Sequence, residues 1–477
     1  MLSVVMEIKS KTEMKMKHLN IIIMAFAVVA FTSCKSLYGK YERPAVNTKG
    51  LVRDVVSNTD TLAVTDTTNF GNMPWRSVFT DPQLQTLIEM GLQHNTDLLN
   101  AALNVKAVEA QLMAAKLSFL PSFTFTPQGT IASWDGNKAT KTYQLPISAS
   151  WDVDLFGKLL SQKRSAQMAL LATKDYQVVV KTNVISGIAN MYYTLLMLDK
   201  QLDIVNNMEK LTKETLDLMV IQKDLGRVRS TGVQSAEANY YSVQTKKTDI
   251  IRQIRETENA LSLLLGQTAQ TIQRGKIDNQ SLPTNLSTGV AISMLNNRAD
   301  VHAAEMDLAQ CFYNVQTARS RFYPSISITG TGTFTNSSGM GIVNPGKWLL
   351  SAVGSLVQPI FAKGQLIAGL KVAQVKYEQA LNTWQNKVLN AGNEVSNALV
   401  KYNSAAAKSE LETKRIATLT KNVEDTKLLL QQSNSSYLEV ITAQQTLLNA
   451  ELSKVTEDFT KMQSIVSLYQ ALGGGAK

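Results

Sequence analysis

The 477-residue chain is 44% apolar and 18% charged, with only 10 prolines and 25 glycines, so long stretches run without helix breakers. Its formal net charge of +10 comes from lysines and arginines scattered along amphipathic segments, several in an N-terminal stretch expected to be removed, and indicates no nucleic-acid partner. Three histidines without ligand spacing, two distant cysteines and no GxSxG, P-loop, HExxH or Rossmann fingerprint leave no catalytic residue, metal site or cofactor to expect.

At the N-terminus, Lys9, Lys11, Lys15 and Lys17 precede an apolar run from Ile21 to Phe31, followed by Thr32, Ser33 and Cys34. A basic region, a short apolar run and small residues at a cleavage point read as a secretory signal over 1–33. The run is too short to cross a bilayer, which takes roughly 20 apolar residues. Met14 or Met16 would also serve as the start of a compact basic region. Cys34 directly after the run is similar to a bacterial lipobox, in which the cysteine becomes the acylated N-terminus; Phe31 stands where leucine is usual. The alternative is an ordinary signal with an incidental cysteine. Residues 34–74 then read as a lipid-anchored linker. Cys311 falls in a helical pattern with Met306, Leu308 and Val315 and reads as a small buried side chain.

The remainder is one unit written twice, over 75–283 and 284–477. Phe119, Pro121 and Ser122 are answered by Phe322, Pro324 and Ser325, Asp154–Lys158 by Pro359–Lys363, and Val233 and Ala236 by Val440 and Ala443. A period of roughly 200 residues far exceeds the 20–50 residues of a solenoid, so this is a duplication. Each unit reads helix, proline, strand, turn, strand, long helix, break, long helix. Strands are expected over 122–134 and 143–155, where Tyr143, Leu145, Ile147, Ala149, Trp151, Val153 and Leu155 alternate with polar residues. The second unit repeats them over 325–336 and 348–361. Each strand has the length of a membrane strand, roughly 9–11 residues, but lipid tolerates no open sheet edge and known barrels start at about eight strands. Four strands are therefore either soluble or one share of a barrel built by several chains. Trp134, Trp151 and Trp348 fit an interfacial girdle or ordinary packing.

The long helices carry coiled-coil seams. Tyr377, Leu381, Trp384, Val388, Ala391, Val395, Ala398 and Tyr402 alternate spacings of four and three, continued by Ile416, Leu419, Val423 and Leu430. A helix over about 363–432 would be on the order of 100 Å long at ~1.5 Å per residue. Such a rod suits a tube across the periplasm better than a compact globule.

These motifs, in this order, resemble the outer-membrane efflux protein family, in particular its OprM-like lipoprotein branch. Tyr41-Glu-Arg-Pro44 matches the branch's leader, and Trp75, Phe79, Asp81-Pro82, Leu84, Leu87-Ile88, Leu92, Asn95 and Asp97-Leu98 match its first helix. Arg298-Ala-Asp300-Val opens the second repeat with Ala299 where the family has proline, and Ser467–Gly475 matches its ending. The resemblance implies an α+β fold of mostly long helices. It also implies a homotrimer in which each chain gives a four-stranded share of one transmembrane β-barrel and its helices to an α-barrel, with no conventional core in a single chain. Its partners would be outer-membrane lipid, a periplasmic adaptor and an inner-membrane transporter of the resistance-nodulation-division type. The function implied is passive exit of drugs or other small molecules from periplasm to exterior. Type I secretion beside an ABC exporter and heavy-metal export stay open as alternatives, and a structural envelope spacer is a third class.

Two sites follow from the resemblance. Adaptor-docking tips fall at Leu225, Gly226, Arg227 and Ser230 and at Asn434 and Ser435, with Ser230 and Ser435 expected to cap the helices that follow. The periplasmic aperture falls at Leu438, Glu439, Thr442 and Gln445. Thr442 and Gln445 stand where the branch has aspartate and arginine. Closure is therefore expected to rest on Leu438 and neutral hydrogen bonds, with Glu439 a substitute charge.

Overall fold

The computed structural model describes residues 39–46, 51–52, 70–133, 135–280, 298–338, 341–432 and 436–475; the expected signal, Cys34 and Trp134 lie outside them. The first pass of the chain gives α1 (Trp75–Val78), α2 (Pro82–His94), α3 (Thr96–Leu117), β1 (Ser122–Phe125), β2 (Gln128–Ala132), β3 (Thr140–Val153), α4 (Lys158–Asp224) and α5 (Ser230–Leu264). The second gives α6 (Ala299–Ser320), β4 (Ser325–Ser338), β5 (Gly341–Val357), α7 (Gln365–Gln431) and α8 (Tyr437–Ala471). The duplication is kept to the residue: α3 and α6 have 22 residues each, α4 and α7 have 67, and α5 and α8 have 35. The fold is mostly helical with one small sheet. Among the described residues no helix is long and apolar enough to cross a membrane.

The chain forms two compact units. A sheet unit takes in Lys106–Ala172 and Ala304–Trp384 with the described residues before Val46; a helical unit takes in the rest. In the sheet unit all pairings are antiparallel, in the order β1-β3-β4-β5 with β2 also on β3. The strand expected over 122–134 is thus two pieces. They part at Thr126–Pro127 because Pro127 has no N–H to give and Pro146 stands on the opposite strand, yet Phe125 still faces Ile147 and Gln128 faces Gln144. The last strand starts at Gly341 rather than 348. A register shift between Thr335 and Ser337 lets pairing continue to Gly341, and Pro359 lies beyond its end at Val357.

Period-2 alternation gives the sheet two unlike faces. Phe125, Ile147, Gly332 and Leu350 lie in one cross-strand row, as do Trp151, Ile328 and Gly354, and Val153, Ile326 and Leu356. The opposite face carries Thr124, Ser148, Thr331 and Ser351, bonded across strands at Ser148–Thr331 (3.2 Å) and Ser327–Ser355 (2.7 Å). Among the described residues no helix covers the apolar face: Phe123, Phe125, Ile147, Leu350 and Leu356 are all exposed. Tyr143, Phe334 and Trp348 cluster at one end of this face, and Trp151 lies toward the other, its indole N–H donating to the Phe119 carbonyl at 2.9 Å. Leu145, beside Phe334, and Trp151 are separated by about 20 Å of strand at ~3.4 Å per residue.

Residues just beyond the expected anchor are held rather than free. The Gly39 carbonyl accepts from Arg164 (3.4 Å), the Tyr41 amide donates to the Tyr313 hydroxyl (3.3 Å), and Arg43 Nε donates to Glu305 (2.7 Å). In the helical unit Leu51 presses on α7 where only Gly392 leaves room, and an added Cβ there would meet the Leu51 carbonyl at 2.4 Å.

The expectation that one chain has no conventional core is overturned in the helical unit. Phe70, Trp75, Val78, Phe79, Leu84, Ile88, Val184, Ile185, Ile188, Tyr192, Leu261, Leu265, Val466 and Tyr469 form one continuous buried cluster. The short helices α1 and α2 fold onto α4, and Gly91 admits Ile188, whose Cδ1 sits 2.3 Å from where a Cβ would be. Burying this much apolar surface makes the unit a core in its own right.

A polar network orders this packing. Asp81 caps α2 through the Gln83 amide (2.9 Å), while the Tyr192 hydroxyl (2.6 Å) and the Gln280 amide (2.7 Å) donate to its other oxygen. Burial pushes the Asp81 carboxyl up, but these bonds outweigh it and hold the group below the usual carboxylate value. Asp81 therefore stabilises the fold above the ordinary carboxylate pKa, and that contribution is lost as pH falls through its depressed value. Asp81→Asn is expected to cost roughly 1–3 kcal/mol at neutral pH. The gap from wild type should shrink in acid, as measured by chemical denaturation at a series of pH values. A gap that stays constant with pH contradicts this assignment.

Candidate functional site

The far ends of the two long hairpins lie together in the helical unit. Helix α4 stops in a left-handed glycine turn: Gly226 has φ +73°, and the Arg227 amide bonds back to the Gln222 carbonyl at 2.9 Å. Leu225, Gly226, Arg227 and Ser230 are all exposed, with Leu225 63% so. Ser230 does not cap α5: it is the first helical residue, preceded by Arg229 without a side-chain cap bond. In the second hairpin the cap is Ser436, whose hydroxyl accepts from the Leu438 amide at 3.2 Å. The expected cap, Ser435, and Asn434 lie outside the described residues.

The four residues expected at the aperture fall on one exposed face of α8, because positions 438, 442 and 445 follow the helical i, i+4, i+7 spacing. Leu438 is 60% exposed, while Val440, Ile441, Ala443, Gln444 and Leu447 on the other side are buried. Glu439 flanks the stripe in the first turn of α8, where the helix dipole favours a carboxylate. No basic side chain occupies the stripe.

Behind the exposed face, amides join the helices. Gln445 donates to Asn239 Oδ1 on α5 (3.0 Å), Gln444 to the Thr215 hydroxyl on α4 (2.8 Å), and Gln222 to the Leu430 carbonyl near the end of α7 (3.3 Å). Lys427 pairs with Glu214 at 2.6 Å. Met219, Ala236, Leu430, Val440 and Ile441 pack between them. Gln222, Thr215 and Asn239 are thus site residues that the family pattern does not point to, while Gln444 lies inside the stretch that the resemblance marks. Gln444, between Val440 and Leu447 on one apolar stripe, is the signal that was present in the sequence. Farther along, Ser409 on α7 donates to Asp458 on α8 at 2.6 Å. Burial pushes the Asp458 carboxyl up, but Lys454 and Ser409 more than offset this and hold it below the usual value.

The arrangement is an amide-braced helix surface with one large exposed apolar side chain, Leu438, near its end. Gln445→Ala and Asn239→Ala combined in a double-mutant cycle should show a coupling of about 0.5–1.5 kcal/mol in unfolding free energy. Additive effects would mean that the amide pair does not join α5 to α8.

The family model for outer membrane efflux proteins matches residues 87–267 and 291–474. The cation efflux system protein CusC of Escherichia coli K12 is 28% identical over 463 residues, covering 95% of this chain and 99% of that protein. The toluene efflux pump outer membrane protein TtgF of Pseudomonas putida is 27% identical, covering 86% of each. The probable outer membrane lipoprotein SilC of Salmonella typhimurium is 25% identical over 94% of this chain and 97% of its own. Among solved structures, CusC superposes with a TM-score of 0.79 at 25% identity, covering 91% of this chain and 99% of that one. The open-state MtrE outer membrane channel of Neisseria gonorrhoeae gives 0.79 at 24% identity, over 92% and 98%. These relatives and neighbours are efflux components and channels, which points away from an enzyme. With the match running through both repeats, the chain belongs to the outer membrane efflux protein family.

Proposed function

We propose that three copies of this chain close one β-barrel in the outer membrane and conduct small molecules passively from periplasm to exterior. The observation that carries this reading is the sheet. Among the described residues its apolar face lies open, its opposite face is a hydroxyl ladder, and both edges, β1–β2 and β5, pair on one side only. Lipid accepts such a sheet only when both edges are paired, and roughly eight strands are the smallest closed barrel, so one chain cannot complete it. The number three follows the family resemblance. The relatives named for cations and for toluene share this fold, so cargo choice is assigned to the inner-membrane pump. That pump is of the resistance-nodulation-division type, joined through a periplasmic adaptor that meets the tips at Leu225–Ser230 and Asn434–Ser435.

Cys34 is the lipid attachment point. What supports this is the basic, apolar and small-residue order that precedes it. The aperture closes on Leu438 with Thr442 and Gln445 as neutral neighbours and Glu439 as the one charge, in place of the aspartate and arginine of related ducts.

Purified protein in a planar bilayer should give discrete conductance steps; a silent membrane overturns the duct. Leu438→Ala should raise the closed-state current, and an unchanged current rules out the apolar closure. Cys34→Ser should abolish labelling by radioactive palmitate. If label persists, or the mature N-terminus lies elsewhere, the anchor assignment is wrong.

A further inference from the structure

The two repeats end in the same way, and the residues that finish them are not the same. Helix α5 closes with a left-handed Gly266 (φ +71°), the Gln267 amide reaching back to the Ser262 carbonyl at 2.9 Å. Helix α8 closes with Gly473 (φ +80°), the Gly474 amide reaching back to the Tyr469 carbonyl at 2.8 Å. Such turns still leave terminal carbonyls of the helix without an internal partner. In the first repeat the Asn95 side chain, at the head of α3, donates to the Leu264 carbonyl at 2.9 Å. In the second, Arg298, at the head of α6, donates to the Ala471 carbonyl at 3.0 Å. Asn95 and Arg298 occupy corresponding places, each just before the equal-length helices that begin at Thr96 and Ala299. Both are buried, with 4% and 7% exposure.

The difference lies in what else each one holds. Asn95 turns its oxygen to the Leu98 amide (3.0 Å) and so caps its own helix. Arg298 is bound by Asp300 (2.8 Å) and reaches Glu394 on α7, also at 2.8 Å. The position in α4 that corresponds to Glu394 is Gly187, where an added Cβ would lie 3.3 Å from the Leu264 side chain. The first repeat is therefore joined by close packing and a short amide. The second is joined by a guanidinium that ties α6, α7 and α8 at one point. From that point both arms of the α7–α8 hairpin run a similar distance to the tip: Ala471 to Leu438 is about 50 Å, and Glu394 to Gln431 about 55 Å, at ~1.5 Å per residue.

We propose that Asn95 and Arg298 are equivalent clasps, and that the Arg298–Glu394 arm sets the resting position of the hairpin that carries Leu438. Arg298 is then a positioning residue for the aperture, acting through α7 and α8 at a distance. The second half of the proposal rests on the duct reading above; the first half does not.

The test combines thermal unfolding in detergent with closed-state conductance in a planar bilayer, on the full chain. Asn95→Ala and Arg298→Ala should each lower the unfolding midpoint by several degrees, since a helix-terminal carbonyl, part-buried at Leu264 and buried at Ala471, loses its donor. Arg298→Asn, which installs the first repeat's residue, should recover at least half of the loss seen in Arg298→Ala. Glu394→Gln, on a half-exposed side chain, should fold like wild type yet pass severalfold more closed-state current, as should Arg298→Asn. If Arg298→Asn melts as low as Arg298→Ala, the equivalence of the clasps is wrong. If Glu394→Gln keeps the wild-type current, the arm does not position the aperture. Should wild type itself conduct nothing, the duct reading fails, while the melting comparison still decides the clasp.

Discussion

An amide group in hydrocarbon has no water to turn to, and this is the constraint from which the sheet unit takes its form. A strand pair with one apolar face could lie on a helical core in a soluble protein, and then no partner would be needed. Among the described residues the apolar face has no such cover, and the outer edges of β1–β2 and β5 have no neighbouring strand. On this face Gly330 lies between Ala149 and Ala352, and Gly332 between Ile147 and Leu350. A surface of that kind is unstable in water and incomplete in lipid. Such a surface is in keeping with the outer membrane efflux family to which the chain belongs.

The helical unit answers the opposite requirement. Its helices are wet on one side and packed on the other, and what organises them is a dense cluster around Tyr192, Tyr193 and Tyr469. Polar atoms in this cluster are used as ties: Asp81 with Tyr192, and the Tyr469 hydroxyl with the Met73 carbonyl and the Gly475 amide. The final glycines are a packing feature, since Gly474 lies flat on the Tyr469 ring, 2.5 Å from a would-be Cβ. A sequence ending that reads as a family signature is, physically, a wrap around one aromatic ring.

Much of this was legible in the residues. The period-2 run from Tyr143 to Val153 marked β3, and the seam from Tyr377 to Tyr402 lies within α7, with Trp384, Val388, Ala391, Val395 and Ala398 buried. Trp75, Phe79, Leu84 and Ile88, matched as a family pattern, are core residues. Leu438, Thr442 and Gln445 were picked out by the family resemblance, and helical spacing then sets them on one stripe of α8. What could not be read depended on contacts between distant segments. The break at Thr126–Pro127 needs Pro146 on the facing strand, the cap at Ser436 depends on where α8 starts, and the core needs α1 and α2 to fold back on α4. Asn239 and Thr215 gain their meaning only once α8 lies beside them.

The matched lengths of the helices carry a consequence for how such chains can change. A residue inserted into α4 would rotate every side chain beyond it by about 100° and advance the tip by ~1.5 Å. The bonds from Gln222 to Leu430 and from Gln444 to Thr215 would no longer meet. Those bonds return only if α7 changes by the same number of residues, and if α5 and α8 follow. Length drift in one half of the gene is therefore coupled to drift in the other, and the connection between β2 and β3 should absorb unpaired insertions more readily. The duplication is in this sense still enforced, long after the side chains of the two halves have diverged.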